Sequence, residues 1–330
     1  MSVFNFSRRA FVATAAAVGL TAAMGVSTVQ AADIDKIHFI IPGGAGGGWD
    51  GTARGTGEAL TKAGLLGSAT YENMSGGGGG KAIGYLIENA ETLREGTLMV
   101  NSTPIVIRSL VGRFPHNFRD LTLIAGTIGD YGAFVVHKDS PIQNFKDLVD
   151  AYKADPKKVS LGGGSVPGGM DHLVAAMAME AGGADPSKVK YIPYDSGGKA
   201  MAGLLSGEVK ALSTGFGEAV EMAIAGEVRI IAMTGKERNA AFPDAPTLIE
   251  QGFDAEFANW RGFFAAPGMT EETAESYRAI LKKMYDTPEW ETVRARNGWA
   301  NIYNPGKQFE TFLIKQETVI EKLMKKLGFL

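Results

Sequence analysis

The residues that most clearly indicate a function are glycines and small hydroxyl residues, which can bind a ligand through backbone N–H and side-chain O–H groups. They recur in five loops between predicted strands and helices. These loops are Gly43–Asp50, Ser75–Gly80, Ser102–Thr103, Gly162–Gly169 and Tyr194–Gly198. A helix N-terminus exposes unpaired N–H groups and about half a positive charge, and glycines let successive N–H groups converge. Parallel strands bring such loops to one edge of a sheet. The pattern therefore predicts a binding site for a small anion.

Short hydroxyl donors stand at the same helix starts: Ser102, Thr103, Ser165 and Ser196. Basic residues are scarce there, with only Lys81 and Lys199 at helix starts. We therefore expect neutral donors and helix dipoles, rather than a basic clamp, to hold the anion. This favours reversible binding of a small carboxylate over binding of a polyphosphate.

Two acids and several aromatic residues near these loops are open to a structural or a functional interpretation. Asp50 and Glu218 could contact a substrate hydroxyl, although capping or first-turn acids explain them more simply. Four aromatic residues lie at loops or crossings and either wall a ligand or pack a hinge: Trp49, Tyr131, Phe216 and Trp260.

A dinucleotide fingerprint keeps an enzymatic alternative open. Gly46-x-Gly48-x-x-Gly51 follows a predicted strand, with Glu72 about 20 residues later. An exported NAD(P)-dependent oxidoreductase would fit this match. Asp50, however, would place a carboxylate where the pyrophosphate should lie.

Other catalytic motifs are incomplete. The glycine run before Lys81 has Ala82 where a P-loop needs Ser or Thr, and Pro167 breaks a nucleophile elbow at Ser165. Asp171-His172 beside that serine leaves a weak hydrolase alternative. The chain has no cysteine, and its four histidines show no paired metal-ligand spacing. We expect no catalysis, no cofactor and no metal.

The N-terminus carries an export signal. Arg8-Arg9 begins a twin-arginine pattern that runs into an apolar stretch and ends at a small-residue cleavage site near Ala31. Residues 1–32 are predicted to be a cleaved signal peptide, which places the protein in the periplasm. Its removal would change the formal charge from −3 to −5, because it holds two arginines and no acid. This charge does not favour binding to nucleic acid.

The rest of the chain alternates short β-rich runs with helical stretches, which predicts an α/β fold with largely parallel sheets. The alternation of β-rich and helical segments is interrupted near Ala133 and again near Trp260. At these two places we expect strands that cross between two lobes. Residues 33–131 and 259–330 are predicted to form lobe 1, and residues 132–258 to form lobe 2. We expect a monomer.

In chain order, these motifs resemble the Bug, or tripartite tricarboxylate transporter (TctC-like), solute receptors. The matching segments are Pro42-Gly-Gly-Ala-Gly-Gly-Gly-Trp49-Asp50 with Thr52-Ala-Arg54, Glu72-Asn73, Gly163-Gly-Ser165-x-Pro-Gly-Gly-x-Asp171-His172, Tyr191-Ile-Pro-Tyr194 with Gly197-Gly198, Pro243-x-Ala-Pro-Thr247-Leu, and Asn259-Trp-Arg-Gly262. They cover essentially the whole chain after the signal segment.

The resemblance implies a type II periplasmic-binding-protein fold, in which two βα lobes joined by two crossing strands close on a di- or tricarboxylate such as citrate. A tripartite tricarboxylate transporter would then be the partner, although a sensory receptor of the same fold remains an alternative. Carried over by position, the ligand-binding residues are Gly47, Gly48, Trp49, Asp50, Ser165, Gly168 and Gly169, with weaker transfers at Tyr194, Ser196, Gly197, Phe216 and Glu218.

Overall fold

The computed structural model describes residues 34–112 and 114–330, so the predicted signal segment lies outside the described residues. The strands are β1 (Lys36–Ile41), β2 (Ser68–Asn73), β3 (Thr97–Ser102), β4 (Thr122–His137), β5 (Leu161–Gly163), β6 (Tyr191–Pro193), β7 (Ala211–Gly215), β8 (Val228–Met233), β9 (Ala258–Ala265) and β10 (Ala300–Pro305). The helices are α1 (Gly48–Lys62), α2 (Gly80–Glu88), α3 (Ala90–Leu93), α4 (Thr103–Val111), α5 (Phe145–Ala154), α6 (Met170–Ala181), α7 (Gly197–Leu205), α8 (Phe216–Ile224), α9 (Glu271–Tyr285), α10 (Pro288–Asn297) and α11 (Lys307–Lys326).

Local sequence explains the recurring strand–loop–helix unit, as the first unit illustrates. Strand β1 is rich in β-branched and aromatic residues and ends before Pro42, which has no N–H to continue the ladder. Gly46 then adopts a positive φ of 74°, a conformation that favours glycine. The chain turns there and starts α1 immediately after Gly47, which is its N-cap.

One sheet path runs through the fold in the order β2-β1-β3-β9-β4-β7-β5-β6, with β8 and β10 also paired to β4. Strands β1, β2 and β3 pair in parallel, as do β5, β6 and β7. Strand β9 is antiparallel to both β3 and β4. The predicted α/β class with two parallel blocks is therefore confirmed.

Strand β4 links the two blocks. Its residues 122–131 pair with β9, and its residues 132–137 pair with β7 and β8. The chain returns beside it, because Phe257 N–H donates to Thr234 O at 3.1 Å and Ala258 pairs with Tyr131. We call residues 34–131 and 258–330 the first block, and residues 132–257 the second block.

The strand predicted near Ala133 is much longer than expected, because it begins at Thr122. Gly126 and Gly129 interrupt its apolar pattern, and its register with β9 shifts near both Leu123 and Gly126. Such irregularities hide a strand from a period-two pattern.

Each apolar core cluster lies mostly within one of the two blocks. Two clusters fill the first block and two fill the second, but Leu173 and Ala176 of α6 pack into a first-block cluster with Phe309. Helix α6 therefore joins the blocks on one side.

Helix α10 and strand β10 were not predicted from the sequence. Helix α10 nevertheless has ordinary boundary signals: Thr287 Oγ1 accepts from Trp290 N–H at 3.2 Å, Pro288 occupies the first turn, and Gly298 ends the helix at a φ of 64°. No helix within the described ranges is long and apolar enough to cross a membrane.

Candidate functional site

A cavity of about 660 Å³ lies where the five glycine and hydroxyl loops meet. It is lined by the loops after β1, β2 and β3 from the first block and after β5, β6 and β7 from the second. Since these strands run parallel within each block, their carboxyl ends bring the loops together. The structure thus assembles segments from both blocks around one space.

Most of the predicted site residues line this cavity. They are Gly47, Gly48, Trp49, Ser102, Ser165, Gly168, Gly169, Tyr194, Ser196, Gly197 and Glu218. Three predicted residues do not line it: Asp50, Thr103 and Phe216. Phe216 is fully buried in a second-block core, and Thr103 is fully buried at the start of α4.

Asp50 braces the first loop from inside α1, and it is not the N-cap that the sequence suggested. Its carboxylate accepts hydrogen bonds from Gly46 N–H at 3.0 Å, Arg54 Nε at 2.8 Å and Asn73 Nδ2 at 3.0 Å. The Asp50 carboxylate therefore already accepts the hydrogen bond from Gly46 N–H, a loop amide that a pyrophosphate would need. This geometry argues against the dinucleotide interpretation of the fingerprint.

Close packing explains the glycine at position 48. A Cβ there would lie 1.9 Å from Arg261 Nη2 and 2.6 Å from Glu218 Oε1. The next residue, Trp49, forms part of the cavity wall, and its Nε1 donates to Ser102 Oγ at 2.9 Å.

The Ser165 loop is held by its own hydrogen bonds. Ser165 Oγ accepts from Asp171 N–H at 2.9 Å and lies 3.1 Å from the Tyr191 hydroxyl. His172 Nδ1 accepts from Gly168 N–H at 3.0 Å, and its ring stacks on Tyr191. Burial lowers the pKa of His172, which favours the neutral ring. Within the described ranges, Ser165 and His172 share no hydrogen bond, so the hydrolase triad is not assembled.

A buried charge cluster, formed by Asp130, Asp171, Glu218 and Arg261, lies at one end of the cavity. Arg261 Nη2 is 2.9 Å from Asp130 Oδ2 and 3.6 Å from Glu218 Oε1. Thr214 Oγ1 donates to Glu218 Oε2 at 2.7 Å. The cluster draws on β4, β9, α6 and α8, so it connects both blocks.

The cluster contains more acids than bases, and burial decides their protonation. Desolvation raises the pKa of both Asp130 and Glu218, against the opposing effect of Arg261. Burial, followed by the nearby Glu218 charge, raises the pKa of Asp171 to about 8. At neutral pH we therefore expect Asp171 to be protonated, a neutral acid able to donate a hydrogen bond into the cavity.

Replacing Asp171 with asparagine is expected to flatten the pH dependence of stability. A carboxyl whose folded pKa is raised loses stability as pH increases from its unfolded value, about 4, through about 8. One such group contributes a slope of up to about 1.4 kcal/mol per pH unit. Urea denaturation at several pH values between 5 and 8 measures this slope. Substitution of the exposed Asp254 with asparagine is the matched control, and equal slopes in wild type and D171N would contradict the assignment.

Two arginines line the cavity, although the sequence suggested that neutral donors and helix dipoles would hold the anion without a basic clamp. Arg261 is neutralised by the charge cluster, but within the described ranges no carboxylate forms an ion pair with Arg108. The Arg108 guanidinium lies 4.6 Å from the Phe114 ring centre, and its buried Nε has no hydrogen-bond partner. Arg108 is near the end of α4, so a search confined to helix starts missed it.

The donors around the cavity suit an organic anion better than a metal. The described residues contain no group of three or more histidine, cysteine or acidic side chains placed to hold a metal ion. Neither N-cap residue, Gly47 of α1 nor Ser102 of α4, caps its helix with its own side chain, although Asn259 Oδ1 accepts from Thr103 N–H at 3.4 Å. Together with the Arg108 guanidinium, the positive ends of these helices favour a negatively charged ligand.

Known proteins share this architecture. The structure of the periplasmic binding protein BugD superposes with a TM-score of 0.79 at 22% identity, covering 89% of this chain and 97% of that one. MatC from Rhodopseudomonas palustris, solved with bound malate, gives 0.76 at 18% identity over 87% of this chain and 98% of that one. An R. palustris protein solved with adipate gives 0.78 at 20% identity over 89% and 97%. The fold is therefore that of the periplasmic binding proteins.

Sequence comparison then gives the family. The model of the tripartite tricarboxylate transporter family receptor (TctC) matches residues 65–329, so the chain belongs to that family. A UPF0065 protein of Cupriavidus necator is 28% identical over 96% of this chain and 98% of its own length.

Proposed function

We propose that this protein is an extracytoplasmic solute receptor that binds a small organic carboxylate in the 660 Å³ cavity and delivers it to a tripartite tricarboxylate transporter. One observation carries the binding proposal: the guanidinium of Arg108, which forms no ion pair among the described residues, lines a cavity that the N-termini of α1 and α4 also border. Family membership supports the role in uptake. Neighbours of the same fold, solved with malate and with adipate, support the ligand class.

We propose that the two blocks act as the two lobes, close to the division predicted from the sequence, with residues 33–131 and 259–330 in lobe 1 and residues 132–258 in lobe 2. The β4 and Phe257–Ala258 crossings lie side by side, which is the arrangement that a hinge requires. Across the cavity, Ser196 Oγ donates to Ala45 O at 3.1 Å, and Ser75 Oγ donates to Asp195 Oδ1. Both contacts are present here and bridge the two blocks, so we expect them to break when the lobes open.

A screen by thermal and chemical unfolding tests the ligand class. At about 100 times its dissociation constant, a bound carboxylate should raise the free energy of unfolding by about 2.7 kcal/mol. The screen should include mono-, di- and tricarboxylates, inorganic phosphate and NAD. A shift with NAD but with none of the carboxylates would contradict the receptor proposal and favour an oxidoreductase.

A site variant localises the effect. Ser165→Trp places an indole in the cavity and is expected to abolish the ligand shift. Loss of the hydroxyl that accepts from Asp171 N–H should also lower ligand-free stability by about 1 kcal/mol, so the shift is measured relative to the ligand-free variant. An S165W protein that still binds would show that the ligand lies elsewhere.

A further inference from the structure

One end of the cavity has an apolar wall built from three separate segments. Helix α4 and the residues after it, the Ser165 loop, and the C-terminus contribute Ile107, Val111, Phe114, Val166, Met324 and Phe329. Val111 and Val166 are 36% and 42% exposed although both line the cavity. The wall therefore leaves apolar surface uncovered.

Specific contacts hold this wall in place. Phe329 packs edge-on against His172 with 4.9 Å between ring centres, and its N–H donates to Met324 O at 2.8 Å. Lys326 pairs with Glu180 of α6 at 2.7 Å, which ties the end of α11 to the second block. The C-terminus is thus fixed as one side of the cavity.

The wall also contains a positive charge. Arg108 lies beside Phe114 with its guanidinium unpaired, so an otherwise apolar surface presents one group that attracts an acid. A surface that combines these properties matches a ligand that is itself apolar along its body and acidic at an end.

The size of the cavity points the same way. A volume of about 660 Å³ falls within the range of about 300–1,000 Å³ of pockets that bind drug-sized ligands, so the cavity has room for an apolar body as well as an acidic group.

We infer that the ligand is an amphipathic organic acid whose apolar body, a chain or an aromatic ring, lies on the wall formed by Ile107, Val111, Phe114, Val166, Met324 and Phe329. This inference rests on the proposed function and narrows its ligand class. The acidic group of this ligand lies between Arg108 and the glycine loops. Burial of its apolar body against the wall makes the site select amphipathic acids over small polar ones.

Calorimetric titration of the purified protein with succinate, adipate, suberate and sebacate, with citrate as a polar reference, tests the inference. Affinity should rise about fourfold for each methylene group buried on the wall, until the wall is filled. In the V111N/V166N variant the gain per methylene should fall below about twofold. The matched control is V319N, a 57% exposed valine outside the cavity lining, which should keep the wild-type gain.

The outcomes separate the two proposals. If succinate or citrate binds and affinity does not grow with chain length, the amphipathic ligand is excluded and the carboxylate receptor stands. If the protein binds neither this series nor any mono-, di- or tricarboxylate of the screen above, the proposed function itself is overturned. The wild-type series decides the point even if the double variant fails to fold.

Discussion

Replacing Arg261 with methionine is expected to lower the free energy of unfolding by about 3–5 kcal/mol at neutral pH, because it leaves buried acids without their counter-charge. Arg261 is 2% exposed, with Nη2 at 2.9 Å from Asp130 and 3.6 Å from Glu218. Methionine roughly preserves the volume but supplies no charge, so both carboxylates would have to protonate or take up water. Urea denaturation measures the loss.

The loss should depend on pH in a defined direction. Burial already raises the pKa of Asp130 and Glu218, and removal of Arg261 would raise both further. Groups with a raised folded pKa destabilise the fold as pH rises, so the deficit of R261M should be smaller at pH 5 than at pH 8. A deficit that is the same at both pH values would contradict the electrostatic explanation.

Two further variants separate charge from packing. Arg296→Met removes an exposed pair in which Nη2 lies 3.0 Å from Glu58, and it should cost less than about 1 kcal/mol. Adding D130N and E218Q to R261M should restore much of the stability, because it removes the unpaired charges along with the arginine. Failure of that rescue would mean that the shape of the arginine, and not its charge, holds the cluster together.

The fold and the positions of the loops could be predicted because they depend on local sequence. Proline and glycine after each short β-rich run mark where a strand ends and a helix begins, as at Pro42 and Gly47. Helix α10 carries equally local signals, a threonine cap, Pro288 and Gly298, but its apolar pattern is too weak for a search by periodicity. Strand β4 was recognised only in part, because its glycines and bulges break the alternation.

Most of the charged part of the site could not be predicted, because it depends on tertiary pairing; Glu218 was a candidate, but its ion pair with Arg261 was not foreseen. Asp130, Glu218 and Arg261 come from distant segments and meet only because β9 pairs with β4 and α8 packs beside them. Arg108 reaches the cavity through the length of its side chain from near the end of a helix, where no loop pattern points to it. Glycine loops can be recognised from local sequence, whereas the placement of these charged side chains around the cavity depends on the tertiary fold.

Replacing Arg108 with methionine is expected to weaken binding of the organic acid by roughly 10- to 100-fold, which corresponds to a charged hydrogen bond worth about 1.5–3 kcal/mol. The guanidinium lines the cavity and has no acidic partner among the described residues, so the ligand is its natural counter-ion. Methionine keeps an apolar contact with Phe114, which limits the change to the loss of charge and hydrogen bonds. Calorimetric titration with the best acid from the screen measures the effect.

The ligand-free stability of R108M distinguishes a ligand-binding role of Arg108 from a purely structural one. Because wild-type Arg108 is an unpaired cation whose pKa is lowered by burial, its removal should leave ligand-free stability unchanged or slightly higher. Arg108→Lys keeps a charge without the planar guanidinium and should recover only part of the affinity. Arg296→Met, which removes an exposed cation paired with Glu58 at 3.0 Å outside the cavity lining, should leave binding near the wild-type level. An R108M protein that binds as tightly as wild type would place the acid on the helix ends alone, as the sequence had suggested.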